Sequence, residues 1–173
     1  PTPATIQPTP AATPTATPAI MPTPMPTPFP VVQAYVCPSF SVKYPANWSI
    51  TSSGPGGAYQ QAVQFRPAAT SPIIVNVGAL YNNDLSAAQL LRQDSDVKMG
   101  TVEGTITTNH NGLAWTVDIV NVPSSAQAQP EKFEVAYSNQ IHPYRLELIA
   151  PANQFASYSP TFDSIFASFV PTK

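Results

Sequence analysis

Charge is what this sequence has least of. Only 9% of its 173 residues are Asp, Glu, Lys or Arg, against about a quarter in an ordinary soluble chain, and none stands before Lys43. The formal net charge of -2 supplies no basic field of the kind that draws nucleic acid or an anionic bilayer, so nucleic acid is not an expected partner. Cysteine is almost missing too. Cys37 alone closes no internal disulfide, so the fold must be held by its hydrophobic core. No run of about twenty apolar residues occurs, which excludes a membrane-spanning helix in this chain. Catalytic and metal motifs are also lacking. The two histidines, His110 and His142, fit no H-x-x-x-H or H-E-x-x-H spacing, and the GPGG at 54–57 lacks the lysine and spacing of a phosphate-binding loop.

Proline is what the sequence has in excess. Eleven of the 22 prolines and eight threonines fall between Pro1 and Pro30. Proline fixes its own φ, biases the preceding residue away from α conformation and removes a donor N–H, so this spacing excludes a helix and a central strand. Extended polyproline II is expected, reaching on the order of 90 Å over thirty residues at roughly 3 Å each. Residues 1–34 therefore read as a Pro/Thr-rich stalk or linker, whose threonines could carry O-linked sugar. The chain starts at Pro1 without methionine, as it would after loss of a signal peptide or behind an upstream lipid anchor. The last third of the stalk carries Ile20, Met21, Met25, Phe29, Val31 and Val32, apolar side chains that a solvated tether does not need. With Tyr35 they are the interface candidates.

Residues 35–171 read as one folded domain. Phe40, Val42 and Tyr44 alternate with polar neighbours as in a strand, Pro45 ends the run, and Trp48 follows as an apolar anchor. SSGPGG at 52–57 reads as a loop. Tyr59 to Arg66 is expected to be a strand with Tyr59, Gln61, Val63 and Phe65 on one face, and Ile73 to Leu80 the next. From Leu85 the period changes to that of a helix, LSAAQLLRQDSDV, capped by Asp84 and ended near Gly100. Strands return at Val102–Thr108 and from Leu113 through Trp115, Val117 and Ile119, joined by the NHNG turn. A polar loop at 122–131 precedes strands through Phe133, Val135 and Tyr137 and through Tyr144, Leu146 and Leu148. Pro160 is expected in the first turn of a closing helix capped by Ser159, with Phe162, Ile165, Phe166 and Phe169 packed on the sheet. The fold class is α+β: a central, largely antiparallel sheet flanked by helices. Its expected core includes Phe40, Tyr44, Trp48, Trp115, Phe162, Phe166 and Phe169.

Four segments together resemble one family. FSVKYPANW resembles the opening of domains related to the photosystem II extrinsic protein PsbP and to Mog1: an aromatic strand, Tyr-Pro, then Trp. LSAAQLLRQ resembles their first helix, VEGTITTNHNGLAWTVDIV their central hairpin, and FDSIFASFV their terminal helix ending in Ser-Phe. The resemblance covers about residues 38–170 and implies an αβα sandwich that acts as a lumenal or surface subunit, assembly factor or protein-binding module rather than an enzyme. The ion- and partner-contacting residues of the plant protein have no clear equivalents in so charge-poor a chain. The chain also resembles bacterial surface lipoproteins that carry this domain behind a Thr-Pro linker.

The expected function is that of a non-catalytic extracytoplasmic subunit, protein-binding or structural, tethered by the stalk to the cell surface or a membrane complex. No catalytic or cofactor-binding residue is expected, and no cofactor. One alternative is a surface domain for a small ligand, glycan or metal, using a loop-rich end that carries SSGPGG, NHNG and the 122–131 loop. Its metal-ligand candidates are His110, His142 and Asp84, the two histidines meeting only if both hairpin tips share one end of the sheet. Asn82, Asn83, Asp94 and Asp96 supply further oxygens, without the spacing of a calcium loop. Another alternative is a homo-oligomeric or filament subunit with residues 20–34 as a packing arm. Cys37, beside Pro38 and without a neighbouring histidine in sequence, is read as an inert thiol, or else as one half of an intermolecular disulfide. Asn47-Trp48-Ser49 matches the N-glycosylation pattern around a tryptophan expected to be buried.

Overall fold

The computed structural model describes residues 31–81, 84–124 and 129–172. Residues 1–30 of the expected stalk, with the interface candidates Ile20, Met21, Met25 and Phe29, and the candidate oxygen ligands Asn82 and Asn83 lie outside the described residues. The last residues assigned to the stalk, Val32, Gln33 and Ala34, are instead part of a strand paired with Pro45, Tyr44 and Lys43, because their alternation suits a sheet edge. In chain order the elements are β1 (Val32–Val36), β2 (Phe40–Pro45), β3 (Ser49–Ser53), β4 (Tyr59–Arg66), β5 (Ile74–Leu80), α1 (Ala87–Gln93), α2 (Ser95–Lys98), β6 (Thr101–His110), β7 (Leu113–Val122), β8 (Glu131–Ser138), β9 (Tyr144–Pro151), α3 (Phe155–Ala167) and β10 (Val170–Pro171). Seven strands form one antiparallel sheet in the order β3-β4-β5-β9-β8-β7-β6. The expected α+β class, a central antiparallel sheet flanked by helices, is the fold observed. A second sheet of three strands, β1-β2-β10, adds to it.

Strand alternation decides what each face of the large sheet meets. Val63 and Phe65, Val75 and Val77, Leu146 and Leu148, and Trp115 and Val117 turn toward α3 and the small sheet, and form one core with Phe40, Val42 and Tyr44. Val120, Phe133, Val135 and Tyr137 turn the other way, onto Ala87, Leu90, Leu91 and Val97 of the two short helices. Around Trp115 the rings of Phe166 and Phe169 stand edge-on at centroid distances of 4.9 and 5.4 Å. All seven residues assigned to the core from the sequence are buried, Trp48 the least so at 9% exposure. Burying each such aromatic is worth about 1.5–3 kcal/mol, and this is what replaces disulfides here.

The closing helix starts earlier than the sequence suggests. Pro160 lies inside α3 rather than in its first turn, Ser159 is not the cap, and the Gln154 side chain makes no capping bond. The reason is an apolar stripe that extends upstream: Phe155 is buried and Tyr158 packs on Trp48. One extra turn of burial outweighs the backbone bond that proline forgoes. Asp84 is likewise not the cap of α1. Ser86 is, in a reciprocal capping box with Gln89, a Ser-x-x-Gln signature present in the sequence. The expected single helix then breaks at Asp94, whose carboxylate accepts from the backbone N–H of Asp96 at 2.8 Å and caps α2.

Three further expectations change. A bulge between Tyr59 and Gln61 turns Tyr59 to the α1 side while Val63 and Phe65 stay on the α3 side. The residues SSGPGG are not all loop, since Ser52 and Ser53 belong to β3. The NHNG turn, with positive φ at Asn111 and Gly112, shares one end of the sheet with the β3–β4 loop, but β7 ends at Val122 and β8 begins at Glu131 at the opposite end. Gly100 is kept for space and not for a left-handed backbone: it has no positive φ, and a Cβ there would collide with the Asn121 carbonyl and Val120. Gly100→Ala is therefore expected to lower stability by about 2 kcal/mol or more, read as a lower urea midpoint at unchanged slope.

Candidate functional site

The two histidines occupy neighbouring turns at one end of the sheet and do different things. His110 packs on Phe166 at a centroid distance of 4.4 Å. His142, in the β8–β9 turn, lines a groove with Gln60, Leu113, Gln140 and Tyr144. Asp84 is exposed and lines a shallow recess with Ser86 and Ile141. Among the described residues, no group of three or more His, Cys, Asp or Glu could hold a metal ion. The thiol of half-buried Cys37 donates to the Phe40 carbonyl at 3.3 Å. Asn47 is exposed and the Trp48 beside it buried. Of the interface candidates, Val31 and Val32 are 78% and 54% exposed. Tyr35 turns inward between Phe40 and Phe65.

The sequence did not single out the most concentrated polar feature, a buried cluster around Arg145. Nε of Arg145 donates to Asp94 Oδ2 at 2.9 Å, Nη1 to Glu147 Oε2 at 2.8 Å, and Nη2 to Glu147 Oε1 at 2.7 Å and Asp96 Oδ2 at 2.6 Å. The Tyr137 hydroxyl donates to Asp94 Oδ2 at 2.6 Å. The cluster continues across the sheet. Asn76 Nδ2 donates to Glu147 Oε2 at 2.7 Å, Gln64 Nε2 to Asn76 Oδ1 at 3.0 Å, and Arg66 Nε to Gln64 Oε1 at 2.8 Å, with Arg66 Nη1 on the Ser71 carbonyl. A chain this poor in charge thus puts two of its cations and three of its carboxylates into one connected array. Charges taken out of water are costly unless paired and hydrogen-bonded; Arg145 and its three carboxylates are both, while the half-buried Arg66 is hydrogen-bonded to Gln64 and Ser71.

Burial and pairing set the protonation of the array. Burial works against the Arg145 cation, but Glu147, Tyr59 and Asp94 reverse this and hold it charged, with its pKa raised. At Asp94 burial is outweighed by Arg145 and Tyr137, and the pKa is lowered. At Glu147, fully buried, desolvation prevails over Arg145 and Asn76, and the pKa is raised. Burial, aided by Asp94, raises that of Tyr137.

Beside the array lies a cleft. Helices α1 and α2 pack over β6, β7 and β8, leaving the β3-β4-β5-β9 half of that face to polar side chains. A hollow of about 360 Å³ opens there, lined by Thr51, Tyr59, Ala62, Gln64, Asn76, Gly78 and Arg145. The Tyr59 ring occupies the space above Gly78, where any Cβ would strike it. On the opposite face Glu134 is buried under α3, and burial together with Asp163 pushes its carboxyl up to about 7.

This arrangement of sheets and helices is that of the PsbP-like and Mog1-like domains, as the four sequence segments imply. No family model matches the chain, and no curated protein is similar to it. Solved structures are. The cyanobacterial PsbP of Synechocystis sp. PCC 6803, CyanoP, superposes over 86% of this chain and 97% of its own, with a TM-score of 0.56 and 12% identity. A Bacteroides thetaiotaomicron structure gives a TM-score of 0.54 at 12% identity over 81% of this chain, which spans about half, 48%, of that longer protein. LpqN, described as involved in cell envelope biogenesis of Mycobacterium tuberculosis, gives 0.50 at 12% identity over 82% of this chain and 92% of its own. At such identities the likeness is one of fold.

Two outcomes follow from the buried charges. Arg145→Met should cost about 3–5 kcal/mol in urea unfolding, and adding Asp94→Asn and Glu147→Gln should recover part of it, because the harm comes from carboxylates left without a partner. For Glu134 the folded pKa of about 7 lies above its ordinary 4.5. The folded chain then keeps a proton that the unfolded chain has released, so stability falls as pH rises from 4.5 to 7, by roughly 3 kcal/mol at most. Glu147 acts with the same sign, and Asp94 titrates below this window. Glu134→Gln should flatten the profile and raise Tm at pH 8 above that of the unaltered protein.

Proposed function

We infer that the protein is a non-catalytic binding or structural module on the extracytoplasmic side of the membrane, carried on a Pro/Thr-rich stalk and engaging a protein partner. The observation that carries this reading is the outer face of the small sheet. Register places Val32, Ala34 and Val36 of β1 beside Lys43 and Ser41 of β2, with Val170 of β10 next to Ser41. Val32, Val36 and Val170 are 54%, 68% and 46% exposed, and Val31 beside them 78%. In sequence, Val31 follows directly on the segment that holds Ile20, Met21, Met25 and Phe29. Lys43 is the one charge on the strands of that face, so a partner with an apolar surface and a carboxylate opposite Lys43 fits it. Two copies set face to face would oppose their lysines, which counts against simple self-pairing there. The envelope role described for LpqN, a protein of this fold, supports the location.

Isolation from the native envelope fraction in mild detergent, with native mass measurement, tests this. The expected result is a complex larger than one chain, containing a second protein. Val36→Lys with Val170→Lys should release that protein while Tm stays within a few degrees. A monomer that carries nothing overturns the reading. A complex of this chain alone replaces it with the homo-oligomeric one.

A further inference from the structure

The cleft beside Arg145 lies on the other side of the large sheet from the apolar patch and has its own chemistry. Its floor is preorganised. Gln64 Oε1 is held by Arg66, which forces the Gln64 amide nitrogen toward Asn76 Oδ1, and the Asn76 nitrogen in turn toward Glu147. Each amide nitrogen carries two hydrogens and spends one in this chain. The second hydrogen on Gln64 and on Asn76 is left for a ligand acceptor. Arg145, 6% exposed and lining the cleft, has five N–H groups, and Nη1 uses one of its two on Glu147. Thr51 adds a hydroxyl that both donates and accepts, and Tyr59 adds an aromatic wall.

The charge balance selects the ligand class. Arg145 faces the carboxylates of Asp94, Asp96 and Glu147, and with Arg66 on Gln64 the array still sets three carboxylates against two guanidinium groups, so an anion meets excess negative charge. A cation meets the Arg145 guanidinium, because the carboxylates behind it are already engaged. A neutral molecule rich in hydroxyls meets neither penalty, and it uses fixed amides and a ring in the manner that planar polar groups suit best. The volume of about 360 Å³ falls in the range of small-ligand sites. We propose that this cleft binds a neutral saccharide unit, with Gln64, Asn76 and Arg145 donating to its hydroxyl and ring oxygens and Tyr59 lying against its apolar face. The site is independent of the partner surface on the small sheet.

The test is a titration of the full chain, isotopically labelled, with glucose, galactose, mannose, N-acetylglucosamine and their β-linked disaccharides, and with glucuronate as the anionic control. The expected result is saturable shifts of the Gln64 and Asn76 side-chain amides and the Gly78 backbone amide with at least one neutral sugar, and at least tenfold weaker binding of glucuronate. Gln64→Ala should weaken binding about tenfold. Ala62→Trp, which fills the hollow from a half-exposed position, should abolish it while the rest of the spectrum stays folded. Binding to free sugar identifies a soluble ligand, and binding only to an immobilised glycan identifies a chain terminus or internal residue; both sustain the proposal. Absence of shifts with every sugar and glycan, preference for glucuronate, or shifts that persist in Ala62→Trp would overturn it.

Discussion

The guanidinium of Arg145 is the point at which three separate parts of the chain are made to agree. It stands on β9 in the middle of the large sheet, takes Glu147 two residues on in its own strand, and takes Asp94 and Asp96 from the junction of α1 and α2. Both helices are short, and the second has a single turn. Neither would persist alone, since isolated helices of this length are marginal in water. Leu90, Leu91 and Val97 supply the apolar attraction to the sheet, but apolar contact is non-directional. The ion pairs fix where along the sheet the helices stop, and thereby leave the neighbouring strands uncovered and the cleft open.

The same cluster shows why part of the site was illegible. YRLELIAP reads as alternation, with Tyr144, Leu146 and Leu148 inward and Arg145 and Glu147 outward. That is correct for the side facing α3. Period-two reasoning then assigns the charged residues to solvent, because it cannot see that another element covers the second face. Asp94 and Asp96 read only as oxygen donors without the spacing of a calcium loop, and only the tertiary fold brings them to Arg145 across about fifty residues of chain. By contrast, the strands around Trp115 and Leu146 and the aromatic stripe of the closing helix were plain, since each carries a large apolar load at regular spacing.

Other misreadings have local causes. Strand β3 is SITSS, polar and short, with Ile50 exposed, so nothing in its composition separates it from the loop after it. The bulge that reverses Tyr59 is a one-residue event, and propensity gives no warning of it. Proline usually stands in the first turn of a helix, which is where Pro160 is expected. In the fold the burial of Phe155 and the contact of Tyr158 with Trp48 carry the helix upstream past it. At Ser86 the capping signal, Ser-x-x-Gln, is present in the sequence two residues beyond Asp84.

Strand β2 has a mechanical role that follows from its position. It pairs with β1 along one edge and with β10 along the other, so the chain coming in at Val31 and the chain leaving at Thr172 are both fastened to one six-residue strand. A load applied between the two ends passes through β2 and its flanking hydrogen bonds, bypassing the seven-stranded sheet. Tension along the chain would strip the small sheet first and leave the large sheet, its two short helices and the array around Arg145 unstrained.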